Sequence, residues 1–98
     1  QGGKMLIATD TETGEIAGTC WLTTDARRIY LHHLGIKKKY QKKGIGKKLT
    51  QKSIEFARKM KMQIKLEVHD TNKRAIDLYE KTGFKYLGDY NIYIIRNI

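Results

Sequence analysis

A break in side-chain periodicity limits the architecture of this chain more than any other feature. Residues 29–36 alternate like a β-strand, but Ile29 and Leu31 share one parity while Leu34 and Ile36 share the other. Strand side chains change face at every residue, so a parity switch inside one strand implies an extra residue, a β-bulge near His32 and His33. From residue 44 to about 62 the period becomes helical: Ile45, Leu49, Ser53, Phe56, Ala57 and Met60 recur every three or four positions, with lysines opposite. Ile64, Leu66 and Val68 then alternate with Gln63, Lys65, Glu67 and His69, the pattern of a half-buried strand. Strand, helix and strand in that order supply the crossover that a parallel pair requires.

The remaining elements fit around this unit. Residues 5–9 and 15–23 read as a hairpin closed by a polar turn at 11–14. Asp70, Thr71 and Asn72 offer N-caps for a second helix whose apolar positions are Ala75, Ile76, Leu78 and Tyr79, and which Gly83 ends. Residues 84–87 and 90–95 read as two closing strands across a turn at Gly88 and Asp89. The expected order is βββαβαββ, a mixed α/β sheet without internal repeats, and 98 residues suit one domain spanning 1–98.

Charge narrows the partners. The net charge of +10 favours phosphates, acidic partners or nucleic acid, and the lysines gather at positions 37–39, 42, 43, 47, 48 and 52, around one loop and the helix that it opens. Cys20 is the sole cysteine, which excludes an internal disulfide and a cysteine-based metal site. No apolar run reaches the length of a membrane span, so the expectation is a cytoplasmic protein with no membrane partner. Starting at Gln1, with Gly2 and Gly3 behind it, the chain reads as a processed product or a piece of a longer one.

A strand leading into Gly44-Ile45-Gly46 at a helix start suits anion binding, because the first amides of a helix are unpaired and its dipole favours negative charge there. The spacing fits neither the dinucleotide fingerprint nor the P-loop. YQKKGIGKKL, from Tyr40, resembles the pyrophosphate-binding signature Gln/Arg-x-x-Gly-x-Gly/Ala of the GNAT acyltransferase superfamily. LEVHDTNKRAIDLYEKTGF, from Leu66, is similar to that superfamily's strand-and-helix segment, most closely in its protein N-terminal acetyltransferases.

The resemblance implies a mixed sheet whose parallel pair splays at the bulge, with helices on both faces and acetyl-CoA as co-substrate. Leu34, Gly35 and Ile36 would pair with the pantetheine arm. Gln41 and the main chain of Lys42, Lys43, Gly44, Ile45, Gly46 and Lys47 would hold the pyrophosphate. Asn72 would hydrogen-bond the pantetheine and Tyr79 would sit near the sulfur as the leaving group's acid. Such a site joins a neutral amine to a thioester, and an alkyl ammonium with a reference pKa of about 10.4 must first lose a proton. Glu67 matches the base position of the N-terminal acetyltransferases, and His32 that of a histidine in arylalkylamine acetyltransferases. No metal is called for.

The superfamily's usual first strand and two helices are missing before residue 5. The chain is therefore read as a fragment, a compact variant or a subunit whose site a partner completes, with a homodimer expected from exposed apolar surface. The acceptor is an amine, small or on a protein. Two other readings stand beside it. One is a domain that binds coenzyme A without turnover. The other is a small basic nucleic-acid-binding domain using Trp21, Tyr30 and Tyr40, which is disfavoured because no nucleic-acid-binding motif appears.

Overall fold

The computed structural model describes residues 3–88 and 93–96. Its sheet has the order β1-β2-β3-β4, built from β1 (Gly3–Thr9), β2 (Ile16–Thr24), β3 (Arg28–Ile36) and β4 (Gln63–Leu66). The first three strands are antiparallel neighbours, and β4 runs parallel to β3. Between those two lies α1 (Ile45–Met60), the expected crossover, and α2 (Lys73–Lys81) follows β4.

The bulge lies where the parity switch puts it. Thr19 faces Gly35 and Trp21 faces His32, so Cys20 on β2 opposes both His33 and Leu34 on β3. His33 absorbs the extra residue at φ 52°, a left-handed conformation uncommon for a side-chain-bearing residue. Leu31 and Leu34 can therefore both face the core.

That core lies between the sheet and α1. Leu22, Ile29, Leu31 and Ala57 are buried together, with Leu6, Leu34, Phe56, Met62, Ile64 and Leu66 packed around them. Two polar residues share the buried side of α1. Thr50 and Ser53 are fully buried, and their hydroxyls donate to the carbonyls of Gly46 (2.8 Å) and Leu49 (2.9 Å) one turn back, so neither is unpaired. Ser53 also lies 3.5 Å from the buried Cys20 thiol, which identifies Cys20 as a core residue.

Against the expectation of helices on both faces, the described helices share one. The crossover lays α1 over the Cys20 and Leu22 face, and α2 leans on α1, its Leu78 beside Gly46 and its Tyr79 beside Cys20. The opposite face keeps Met5, Ile7 and Trp21 exposed. β4 stops at Leu66 rather than running through Val68, because β3 turns away and offers it no further partner. Residues 84–87 form no strand. Phe84 instead donates its N–H to the Tyr79 carbonyl (3.0 Å) and sets its ring edge-on to Tyr79, continuing the end of α2. Residues 93–96 are likewise outside any strand, and 90–92 of the expected last strand lie outside the described residues.

Gly18 on β2 sits against β3 beside the bulge: a Cβ there would lie 3.0 Å from the Gly35 carbonyl oxygen and against the end of Ile36. Gly18→Ala is expected to destabilise the fold by about 1–3 kcal/mol, the usual cost of overpacking. Urea unfolding checks this through a lowered midpoint at an unchanged slope.

Candidate active site

β3 leads through a single 3-10 turn (Lys38–Tyr40) into the loop at 41–44 and then α1. Gly44 caps α1 at φ 82°, a region that glycine enters without steric cost, and brings no side-chain oxygen to the first amides. The first turn holds no acidic residue. Among the described residues the N–H groups of 42–47 meet no carbonyl or side-chain acceptor, and the first bond of the helix runs from Lys48 N–H to the Gly44 carbonyl at 3.0 Å. Lys42, Lys43, Lys47 and Lys48 crowd this positive end of the helix dipole, an arrangement that repels itself until an anion enters. Gly46 serves packing too, since a Cβ there would meet Leu78 of α2 at 3.5 Å. Gln41 turns its amide inward, donating to the Ile36 carbonyl (3.1 Å), and so fastens the loop to the end of β3.

The second feature is the gap between the parallel strands. Pairing of β3 with β4 runs from Arg28 opposite Gln63 to Leu31 opposite Leu66 and stops. Past that point, among the described residues, Leu34, Gly35 and Ile36 have β2 as their one strand partner, which leaves the other edge of β3 without a strand beside it. A groove of about 320 Å³ opens where the strands part, and His32, His33, Tyr30, Lys65 and Glu67 line it. The two expected bases thus meet in one groove. His32 Nε2 lies 2.8 Å from the Thr23 hydroxyl, with its ring stacked on Tyr30, while Glu67 is exposed to solvent.

Tyr79 stands on the α1 side of the sheet, buried beside Cys20. Burial, with the Cys20 thiol as a smaller cause, pushes its hydroxyl pKa above the ordinary tyrosine value, so it remains a proton donor at neutral pH. Among the described residues that hydroxyl has no hydrogen-bond partner. Asn72 caps α2: its Oδ1 accepts from the Ala75 N–H at 3.2 Å, leaving its amide nitrogen for any ligand.

One contributor to this region has no local signal in the sequence. The Tyr40 ring is buried, and its hydroxyl lies 2.8 Å from Asp10 Oδ2 and 3.2 Å from Glu15 Oε1, one proton between two carboxylates. Its partners sit 25 and 30 residues back, at the ends of the β1–β2 hairpin, so no spacing rule could have joined them.

A family model described as the acetyltransferase (GNAT) family matches residues 1–84. The chain is 44% identical over 62 residues to a thialysine N-epsilon-acetyltransferase of Bos taurus, covering 62% of this chain and 36% of that protein. It is 33% identical over 64 residues to a spermine/spermidine N(1)-acetyltransferase of Bacillus subtilis, covering 63% and 42%. A Bacillus anthracis protein solved in complex with acetyl coenzyme A superposes with a TM-score of 0.75 at 28% identity, over 85% of this chain and 47% of that one. The chain spans about a third to a half of the length of these curated relatives.

The hairpin carboxylates provide a pH check. Asp10 is held below its ordinary 3.8, chiefly by the Tyr40 hydroxyl, and Glu15 below its ordinary 4.5, chiefly by Lys39 and then Lys37. A depressed carboxyl pKa stabilises the fold above the ordinary value, and that contribution disappears as pH falls through the lowered one. Carbon-13 NMR titration is expected to give both midpoints below those ordinary values. Tyr40→Phe is expected to return Asp10 towards 3.8.

Proposed function

The chain belongs to the acetyltransferase (GNAT) family, and from that premise we propose that it binds acetyl-CoA and transfers the acetyl group directly to a primary amine. The observation that carries this reading is the run of unpaired amides at residues 42–47, ringed by lysines at the start of α1. It is a ready receptor for a pyrophosphate. From that anchor the pantetheine arm extends along the open edge of β3 at Leu34, Gly35 and Ile36, with the Asn72 amide beside it, and the thioester reaches the gap between β3 and β4.

The chemistry follows from which groups line the two sides of that gap. The acceptor enters from the groove holding Glu67 and His32, one of which removes a proton from the ammonium, directly or through water. The neutral nitrogen attacks the thioester carbonyl, and the oxyanion is met by main-chain N–H groups at the bulge. The C–S bond then breaks, the nitrogen gives up its second proton to water, and the thiolate takes its proton from Tyr79, which burial keeps protonated and which solvent reprotonates. Relatives named for thialysine and for spermine or spermidine support an aliphatic amine as acceptor.

Calorimetry with acetyl-CoA on the longest native form of the protein tests the first half. Binding is expected, weakening as salt rises. Gly44→Val is expected to abolish it, because a β-branched side chain does not tolerate φ 82°. Binding equal to wild type in that variant would overturn the loop's role. Thiol release with a panel of amines tests the second half: Tyr79→Phe is expected to lower kcat about a hundredfold or more while sparing affinity. Binding without thiol release from any amine would reduce the assignment to a coenzyme A binding domain.

A further inference from the structure

The phosphate-receiving loop has a conformation that local sequence does not favour. Lys42 at φ 65° and Gly44 at φ 82° are both left-handed, and among the described residues the amides that they orient meet no partner. Something outside the loop must hold it, and Tyr40 is the residue placed to do so. Its hydroxyl is bound to Asp10 at 2.8 Å and lies 3.2 Å from Glu15. Those carboxylates are fixed in turn by the hairpin, where Asp10 N–H donates to the Glu15 carbonyl (2.8 Å) and Gly14 N–H donates to the Asp10 carbonyl (2.7 Å).

The same acids sort the lysines. Glu15 takes Lys39 at 2.7 Å and Lys37 at 3.2 Å, and the ammonium groups of Lys39 and Lys43 lie 5.4 and 5.8 Å from the centre of the Tyr40 ring. Two lysines ahead of the loop are thereby neutralised. Those beside the free amides, Lys42, Lys43 and Lys47, make no ion pair among the described residues.

We infer that Tyr40, clamped by Asp10 and Glu15, is a positioning residue that sets the amides of residues 42–47 for the coenzyme's pyrophosphate without touching it. The inference rests on the acetyl-CoA reading of that loop and adds the device that holds the loop open. The hairpin, far from the reacting atoms, thereby governs coenzyme affinity.

The experiment compares wild type, Tyr40→Phe, Asp10→Ala, Asp10→Asn and the Tyr40→Phe/Asp10→Ala pair. Calorimetry with coenzyme A and steady-state kinetics are run at a temperature where circular dichroism shows each variant folded. Tyr40→Phe and Asp10→Ala are each expected to weaken coenzyme A binding and raise KM for acetyl-CoA about fivefold to tenfold, the scale of one ordinary hydrogen bond, with kcat unchanged. The double variant is expected to be no weaker than the poorer single one, since both remove the same bond. Asp10→Asn is expected to stay near wild type, because its amide oxygen still accepts the Tyr40 proton.

The clamp is overturned if wild type binds coenzyme A and Tyr40→Phe binds it equally well, if the two losses add, or if kcat falls at constant KM. Should Tyr40→Phe fail to fold, Asp10→Ala and Asp10→Asn decide alone. A wild-type protein that does not bind coenzyme A removes the underlying assignment and the clamp with it, a result visible before any substitution is made.

Discussion

The site depends on β3 pairing with two different neighbours over different lengths. Along β2 it runs to Ile36, whereas along β4 it pairs only to Leu31. The bulge at His33 and Leu34 links these facts. An inserted residue increases local strand twist, and a strand so turned cannot keep a straight parallel partner in register. What remains, among the described residues, is a main-chain edge without a strand partner beside a groove, flanked by two potential bases on one face of the sheet and a buried tyrosine on the other.

The loop before α1 adds charge recognition to this edge. Free amides at the start of a helix are weak attractors alone, and lysines around them would ordinarily oppose the helix dipole. Here the two occur together with no acid in the first turn and no capping side chain. The unfavourable concentration of positive charge is relieved when an anion binds, which makes stability and ligand affinity two readings of one electrostatic fact. The acids that could have neutralised the lysines are drawn to Tyr40, Lys37 and Lys39 on the hairpin side.

Family membership and geometry carry different parts of the assignment. The match over residues 1–84 makes the chain a GNAT acetyltransferase family member. The unpaired amides and the parted strands give that membership a physical meaning in this chain. The sheet face with Met5, Ile7 and Trp21, exposed among the described residues, adjoins the groove, since Trp21 is paired with His32. The loop at 41–44 and the open stretch of β3 lie on the other side of that groove.

Periodicity in the sequence was enough to place the bulge, the crossover helix and the glycine turn that opens it, because each follows from rules acting over a few residues: strand parity, helical period, and the tolerance of glycine for positive φ. The same rules failed at residues 84–87. The alternation at residues 84–87 satisfies a strand pattern, yet Phe84 bonds and packs back onto Tyr79 at the end of α2. Nor could local rules end β4 at Leu66, put both described helices on one face, or bring Tyr40 to Asp10 and Glu15. Those outcomes depend on which surfaces become neighbours once the chain has closed, and such contacts are selected by burial and by the pairing of polar groups across long stretches of sequence, not by spacing along it.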